Sequence, residues 1–184
     1  VKARIINESI FLIQKKGFTF TTSELATNLG VSKRKIYEYF SSKEQIIEVI
    51  INQLIMEIKE KEKDIAQNEN LHLIEKVRQI LCCTPEQFEV MDMRLLSELK
   101  KHYYKQWETL DYFLKKEWSV VMQLMEQGID DGLIRPINLQ VFIDLYLGAI
   151  NQIYEPITSQ SRQTFREKLH AIMDILLNGI TCRQ

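Results

Sequence analysis

This sequence has little of what β structure, disulfide frameworks and membrane spans require. Its 184 residues include six glycines and three prolines, and no stretch alternates apolar with polar residues as a half-buried strand does. Apolar residues recur instead at intervals of three and four, which predicts an all-α chain. Cys82, Cys83 and Cys182 are odd in number and show no Cys-x-x-Cys or Cys/His spacing, so neither a disulfide framework nor a zinc site is expected. The adjacent pair offers an oxidation sensor, but reduced thiols packed as small hydrophobes are the expected state. His72, His102 and His170 are scattered without an i, i+4 pair. No Ser/His/Asp or Cys/His arrangement, glycine-rich phosphate loop or carboxylate pair stands out, so no enzyme, metal or cofactor is expected. No apolar run is long enough to span a bilayer and no signal peptide is evident, so a cytoplasmic protein without a membrane partner is expected. Numbering begins at Val1, and an initiator methionine is expected ahead of it.

Charge is almost balanced overall at −1, which excludes a uniformly basic nucleic-acid coat. Its distribution is uneven. Residues 1–50 hold eight basic and five acidic side chains, and the rest holds sixteen basic against twenty acidic. That asymmetry fits one end that meets phosphate and another that does not.

The stretch from Thr21 to Phe40, TTSELATNLGVSKRKIYEYF, is the most informative in the chain. Thr21 and Glu24 stand at capping-box spacing and open a helix whose apolar face is Leu25, Ala26 and Leu29. Gly30 can take the positive φ that ends it, Val31 plugs the turn, and Ser32 is a good N-cap for a second helix. On that helix Ile36 and either Tyr39 or Phe40 point inward. Lys33, Arg34, Lys35, Tyr37 and Glu38 have outward options. This is the pattern of a helix-turn-helix reading duplex DNA. Candidate DNA-binding residues are Thr22, Ser32, Lys33, Arg34, Lys35, Tyr37, Tyr39 and Lys43. Ser41-Ser42-Lys43-Glu44 reads as a second capping box. Lys43, in the first turn that follows, suits a phosphate contact or plain solvation. Glu38 either accepts from cytosine N4 or, the simpler expectation, pairs with a cation such as Arg34 four residues back.

The run from Arg4 to about Ile50 resembles the DNA-binding domain of TetR-family transcriptional regulators. The matching residues are Ile6, Ile10, Phe11 and Gly17, then Thr21, Thr22, Leu25, Ala26, Gly30, Val31 and Ser32. Ile36-Tyr37, Tyr39-Phe40, Ser42-Lys43-Glu44 and Ile47 complete them without a gap. Arg34, Lys35 and Glu38 depart from the usual pattern, which bears on the target sequence rather than on the DNA-binding role. The resemblance implies an N-terminal three-helix DNA-binding domain, here 1–46, followed by a larger helical-bundle regulatory and dimerisation domain, here 47–184. It also implies that the long helix opening near Lys43 is the mechanical link between them.

Further along, Phe88, Met91, Leu95, Leu99 and Tyr103 form one helical stripe. Trp107, Leu110, Leu114, Trp118, Val121 and Met125 form the next, on a helix expected to end near Asp131 with Gly132 as its cap. Met91, Tyr103, Trp107, Trp118, Asn151 and Tyr154 suit a mostly apolar cavity with a few orienting groups, although such residues at helical spacing are more often plain core. The last two helices are strongly apolar. In the resembled family they pair with the same helices of a second subunit, which nominates Leu147, Ile150, Leu169, Met173 and Leu176 for a homodimer interface. Closing the monomer core is the other reading of the same faces. A twofold protein is also what a palindromic operator requires. The expectation is a repressor of transcription whose operator affinity responds to a small apolar or aromatic effector. The alternatives are an activator, a ligand-independent regulator or a helical protein-interaction module.

Overall fold

The computed structural model describes residues 1–83, 93–154 and 165–180. Its elements are α1 (Lys2–Lys16), a 3-10 turn (Gly17–Thr19), α2 (Thr22–Leu29), α3 (Lys33–Tyr37), α4 (Lys43–Gln67) and α5 (Leu73–Leu81). After these come α6 (Met93–His102), α7 (Tyr104–Lys116), α8 (Ser119–Asp130), α9 (Leu139–Tyr154) and α10 (Phe165–Asn178). The chain is all-α, as its periodicity predicts. It divides into two compact units. The first is Val1–Glu57 with the described part of Pro85–Leu114, and the second is Ile58–Thr84 with Lys115–Gln184, again in its described part.

In the first unit α1 turns Ile5, Ile6, Ile10, Leu12 and Ile13 inward. Ser9 is buried among them, and its hydroxyl donates to the carbonyl of Ile5 at 2.7 Å, which satisfies the polar group within its own helix. Leu25 and Ala26 of α2, Ile36 of α3 and Ile46, Ile47, Ile50, Ile51 and Leu54 of α4 complete that core. Leu95 and Leu99 of α6 are also fully buried, and α6 packs on the 3-10 turn. Each such side chain contributes about 1.5–3 kcal/mol. A good cap contributes about 1 kcal/mol. Burial therefore holds the unit together, and caps decide where its short helices start and stop.

In the second unit Val77, Ile80 and Leu81 meet Val121, Leu124, Met125, Ile134, Phe142, Ile143, Met173, Leu177 and Ile180. Gly128 is needed for space, because a Cβ there would come within 2.9 Å of the side chains of Ile134 and Leu73. Gly132, at φ +69°, ends the turn after α8 as expected, and the amides of Leu133 and Ile134 return to the carbonyl of Gly128. Asn138 caps α9, its side chain accepting from the amide of Val141 at 3.2 Å.

Two local expectations need correction. The cap before α4 sits one residue later than Ser41–Glu44: Ser42 accepts from the amide of Gln45, and the Gln45 carboxamide oxygen takes the Ser41 amide. The reaching-back arm is thus Gln45, whose side chain lands on Ser41 while Lys43 turns inward. The stripe from Trp107 to Met125 is not one helix either. The chain leaves helical geometry at Glu117–Trp118, where Trp118 takes φ −108° and ψ 7°. Its ring packs edge-on against Tyr146 with centroids 5.4 Å apart, a contact that no local pattern encodes.

Candidate nucleic-acid interface

The interface is built on α2, the turn at Gly30 and α3. Both arms of the capping box form: the amide of Glu24 donates to the Thr21 hydroxyl, and the Glu24 carboxylate takes the Thr21 amide. Lys16 pairs with Glu24 at 2.6 Å. That ion pair first, and the Thr21 amide second, hold the Glu24 carboxyl down at about 2. Gly30 is left-handed at φ +66° and ψ 32° with open space where a Cβ would stand, so backbone conformation alone calls for glycine. Ser32 then accepts from the amide of Lys35 at 3.2 Å and starts α3.

These caps set the direction of each side chain on α3. Ile36 is wholly buried, and so is Phe40, which settles the choice between Tyr39 and Phe40. Tyr37 is half exposed and Tyr39 faces outward. The Tyr37 hydroxyl lies 3.5 Å from that of Thr22, so the two motif helices bring those candidates together. Lys33 and Arg34 are exposed, and neither side chain has a hydrogen bond or ion pair with another described residue. Lys35 pairs with Glu38 at 2.7 Å, and its ammonium lies 5.4 Å from the centre of the Tyr39 ring. Glu38 thus takes the cation three residues back rather than Arg34. The contact raises the Lys35 pKa and leaves Arg34 to the solvent face. That face can bind phosphate through Lys33 and Arg34 and can present Tyr37 and Tyr39 to base edges or sugar.

Lys43 lies elsewhere. Its ammonium donates to the carbonyls of Phe18 and Phe20 and sits 4.1 Å from the centre of the Phe20 ring. Burial lowers its pKa, while Glu44 and Glu24 oppose that shift. In this structure Lys43 is a strut under the loop between α1 and α2. The same loop is also held by Glu98 of α6, whose carboxylate accepts the Phe18 amide at 3.0 Å. The same carboxylate fills the space a Cβ on Gly17 would need, and Gly17 is at φ +69°. Sequence reading misses this clamp, since eighty residues separate its partners and a lone glutamate on a helix carries no signal.

The other candidates fall in several places. Tyr103 is buried in the first unit against Phe18, and Trp107 is half-buried there with the Lys100 ammonium 5.8 Å from its ring. Trp118 belongs to the second unit, and its indole Nε1 is buried without a hydrogen-bond partner among the described residues. Met91 and the side chains of Asn151 and Tyr154 lie outside the described residues. Of the five apolar residues nominated for a dimer, Leu169 and Met173 are 2 % and 0 % exposed within the single chain, so its own core already fills those positions. Leu147, Ile150 and Leu176 are half-buried. Among the described residues, the exposed large apolar side chains on α9 and α10 are Val141, Leu145 and Ile175. Neither Cys82 nor Cys83 is in a disulfide among the described residues, and burial pushes Cys82 up to about 11, which keeps it protonated. Among the described residues no acidic, His and Cys cluster can hold a metal ion, and no helix is long and apolar enough to cross a membrane.

Residues 5–50 match the sequence model of the family described as bacterial regulatory proteins, tetR family. The chain is 46% identical over 179 residues to the uncharacterized HTH-type transcriptional regulator YvaF of Bacillus subtilis (strain 168), covering 97% of this chain and 94% of that protein. In fold it is similar to the transcriptional regulator FadR of Bacillus subtilis in complex with stearoyl-CoA. That match has a TM-score of 0.67 at 17% identity and covers 97% of this chain and 98% of the other. It is also similar to AibR in complex with isovaleryl coenzyme A and operator DNA, with a TM-score of 0.61 at 20% identity over 98% and 97% of the two chains.

Proposed function

The chain belongs to the TetR family of bacterial transcriptional regulators and carries that family's DNA-binding helix-turn-helix; from that premise we propose a homodimeric repressor whose operator affinity falls when a small effector binds. The observation that carries the DNA-binding part is the capped α2–α3 pair, with Lys33, Arg34, Tyr37 and Tyr39 on its solvent face. Val141, Leu145 and Ile175 support a second copy against α9 and α10, since they leave apolar surface outside the core. Residues 1–46 would then act as the reading head and 47–184 as the regulatory and dimerising part.

The effector reading rests on Trp118. A buried indole N–H without a partner carries a desolvation penalty of about 1–3 kcal/mol. An acceptor on a largely apolar compound would relieve it. FadR and AibR, each solved with an acyl-coenzyme A, support an acyl group as one form of that compound. The effector must bind the non-operator conformation more tightly, and a tenfold loss of operator affinity requires about 1.4 kcal/mol of such preference. Anisotropy titrations with duplex DNA over a salt series test the binding, and DNA selected by the pure protein supplies the operator. Affinity that fails to fall with salt removes the DNA reading and leaves a protein-interaction module.

A further inference from the structure

One ion pair on the outer face of α3 is not accounted for by phosphate binding. Glu38 follows the last residue of α3 in helical conformation, at φ −66° and ψ −24°, and its amide donates to the Arg34 carbonyl at 3.0 Å. It stands about 200° round the helix from the wholly buried Ile36, so it shares the outer face with Arg34. A carboxylate on a face that meets phosphate is repelled unless a donor meets it. Lys35 meets it in part. The ammonium donates to Glu38 Oε2 at 2.7 Å and lies 5.4 Å from the centre of the Tyr39 ring. The two side chains remain 43% and 47% exposed. Glu38 Oε1 has no hydrogen-bond partner among the described residues, and the ammonium keeps donors to spare.

A donor and an acceptor are thus held side by side, 2.7 Å apart, on the surface that faces DNA. The major-groove edge of a G·C pair presents the complementary arrangement. Guanine O6 is an acceptor and cytosine N4 a donor, and their own hydrogen bond sets them about 2.7–3.2 Å apart. An A·T pair also places a donor, adenine N6, beside an acceptor, thymine O4. There, however, adenine N7 repels a carboxylate at N6 and the thymine methyl crowds O4, whereas guanine N7 gives an ammonium a second acceptor. We infer that Lys35 and Glu38 act as one unit that reads a single G·C pair in each operator half-site, the ammonium on guanine O6 and N7 and the carboxylate on cytosine N4.

This inference rests on the DNA-binding reading above, and its test separates the two. Random duplex DNA is selected with the full chain as wild type, Glu38→Gln and Lys35→Ala, each checked by circular dichroism. The wild-type operator should carry in each half-site one G·C pair whose replacement by A·T weakens binding about tenfold. Glu38→Gln should move the cytosine of that pair towards adenine, whose N6 and N7 suit a carboxamide, and leave the other positions as they are. Lys35→Ala should lose the preference at the same pair. Replacing that guanine by 7-deazaguanine should weaken wild type and leave Lys35→Ala unchanged. Glu38 is exposed, so its variant carries the test if Lys35→Ala fails to fold. An ion pair that only tethers α3 would alter stability and leave base preference alone. An unchanged motif in Glu38→Gln, or a change spread over several positions, overturns the proposal while the DNA reading stands. A wild type that selects no sequence removes both.

Discussion

Between Thr21 and Phe40 the chain is shaped by contacts that span three or four residues, whereas the second unit is shaped by contacts that span dozens. Thr21 with Glu24, Ser32 with Lys35 and the left-handed Gly30 place α2 and α3. In the second unit the Tyr146 hydroxyl donates to the carbonyl of Leu81 across 65 residues, and the Arg135 guanidinium donates to that of Gly179 across 44. The difference has a consequence for function. Short-range caps fix a helix while leaving its outer face free, so Lys33, Arg34 and Tyr37 can vary with the DNA target. A body fixed by mutual burial has fewer such positions, and Trp118 stands out there because its polar atom is unmet.

The largest effect should separate interior from surface in the second unit. Met173→Ala removes a wholly buried side chain and should lower stability by about 2–5 kcal/mol in urea unfolding. Ile175→Ala, two residues on and 73% exposed, should change single-chain stability by no more than about 0.5 kcal/mol. Its effect should appear instead as weaker dimerisation by light scattering. Equal destabilisation by the two would break the distinction between core and docking face.

A smaller effect should separate two glycines of the first unit. Gly30→Ala meets only the left-handed backbone and should lose about 1–2 kcal/mol. Gly17→Ala meets a harsher backbone penalty, because φ +69° with ψ −162° is a region essentially reserved for glycine, and it also pushes on the Glu98 carboxylate. It should therefore lose more, and Glu98→Ala in the same chain should recover part of the difference. Thermal unfolding of the single and double variants measures this. No recovery on adding Glu98→Ala to Gly17→Ala would show that Glu98 is not a clamp.

The cap comes next. Thr21→Ala should lose about 1 kcal/mol. Glu24 adds a pH signature. Its folded carboxyl is held at about 2 against an ordinary 4.5, so its stabilisation is present above about 4.5 and is lost as pH falls towards 2. Glu24→Gln should flatten stability across that window. An unchanged acid limb would show that the Lys16 and Thr21 contacts are not kept in solution.

These contrasts also explain how far the sequence could be read. The all-α class, the box at Thr21, the turn at Gly30 and the cap at Ser32 were legible because each is decided within four residues. The choice of Gln45 over Glu44 as the reaching arm was not, since both fit the spacing. Glu38 pairing with Lys35 rather than Arg34 was a choice between i, i+3 and i, i+4 neighbours, which spacing alone leaves open. The break before Trp118 and the inward turn of Lys43 depend on partners far along the chain, Tyr146 for one and the Phe18 carbonyl for the other. Leu169 and Met173 show the same limit, because an apolar helical face does not say whether its own chain or a second copy covers it.

The most direct test of DNA recognition through α3 is the salt dependence of duplex binding, measured for wild type, the Lys33→Ala/Arg34→Ala variant and Lys43→Ala. The double variant should bind more weakly and show a shallower slope of log affinity against log salt, by about one for each phosphate contact removed in each subunit. Lys43→Ala should keep the wild-type slope and lose thermal stability, because its ammonium is spent on the Phe18 and Phe20 carbonyls. Parallel salt titrations for wild type and the double variant, or a slope change confined to Lys43→Ala, would contradict the placement of the DNA-facing surface on α3.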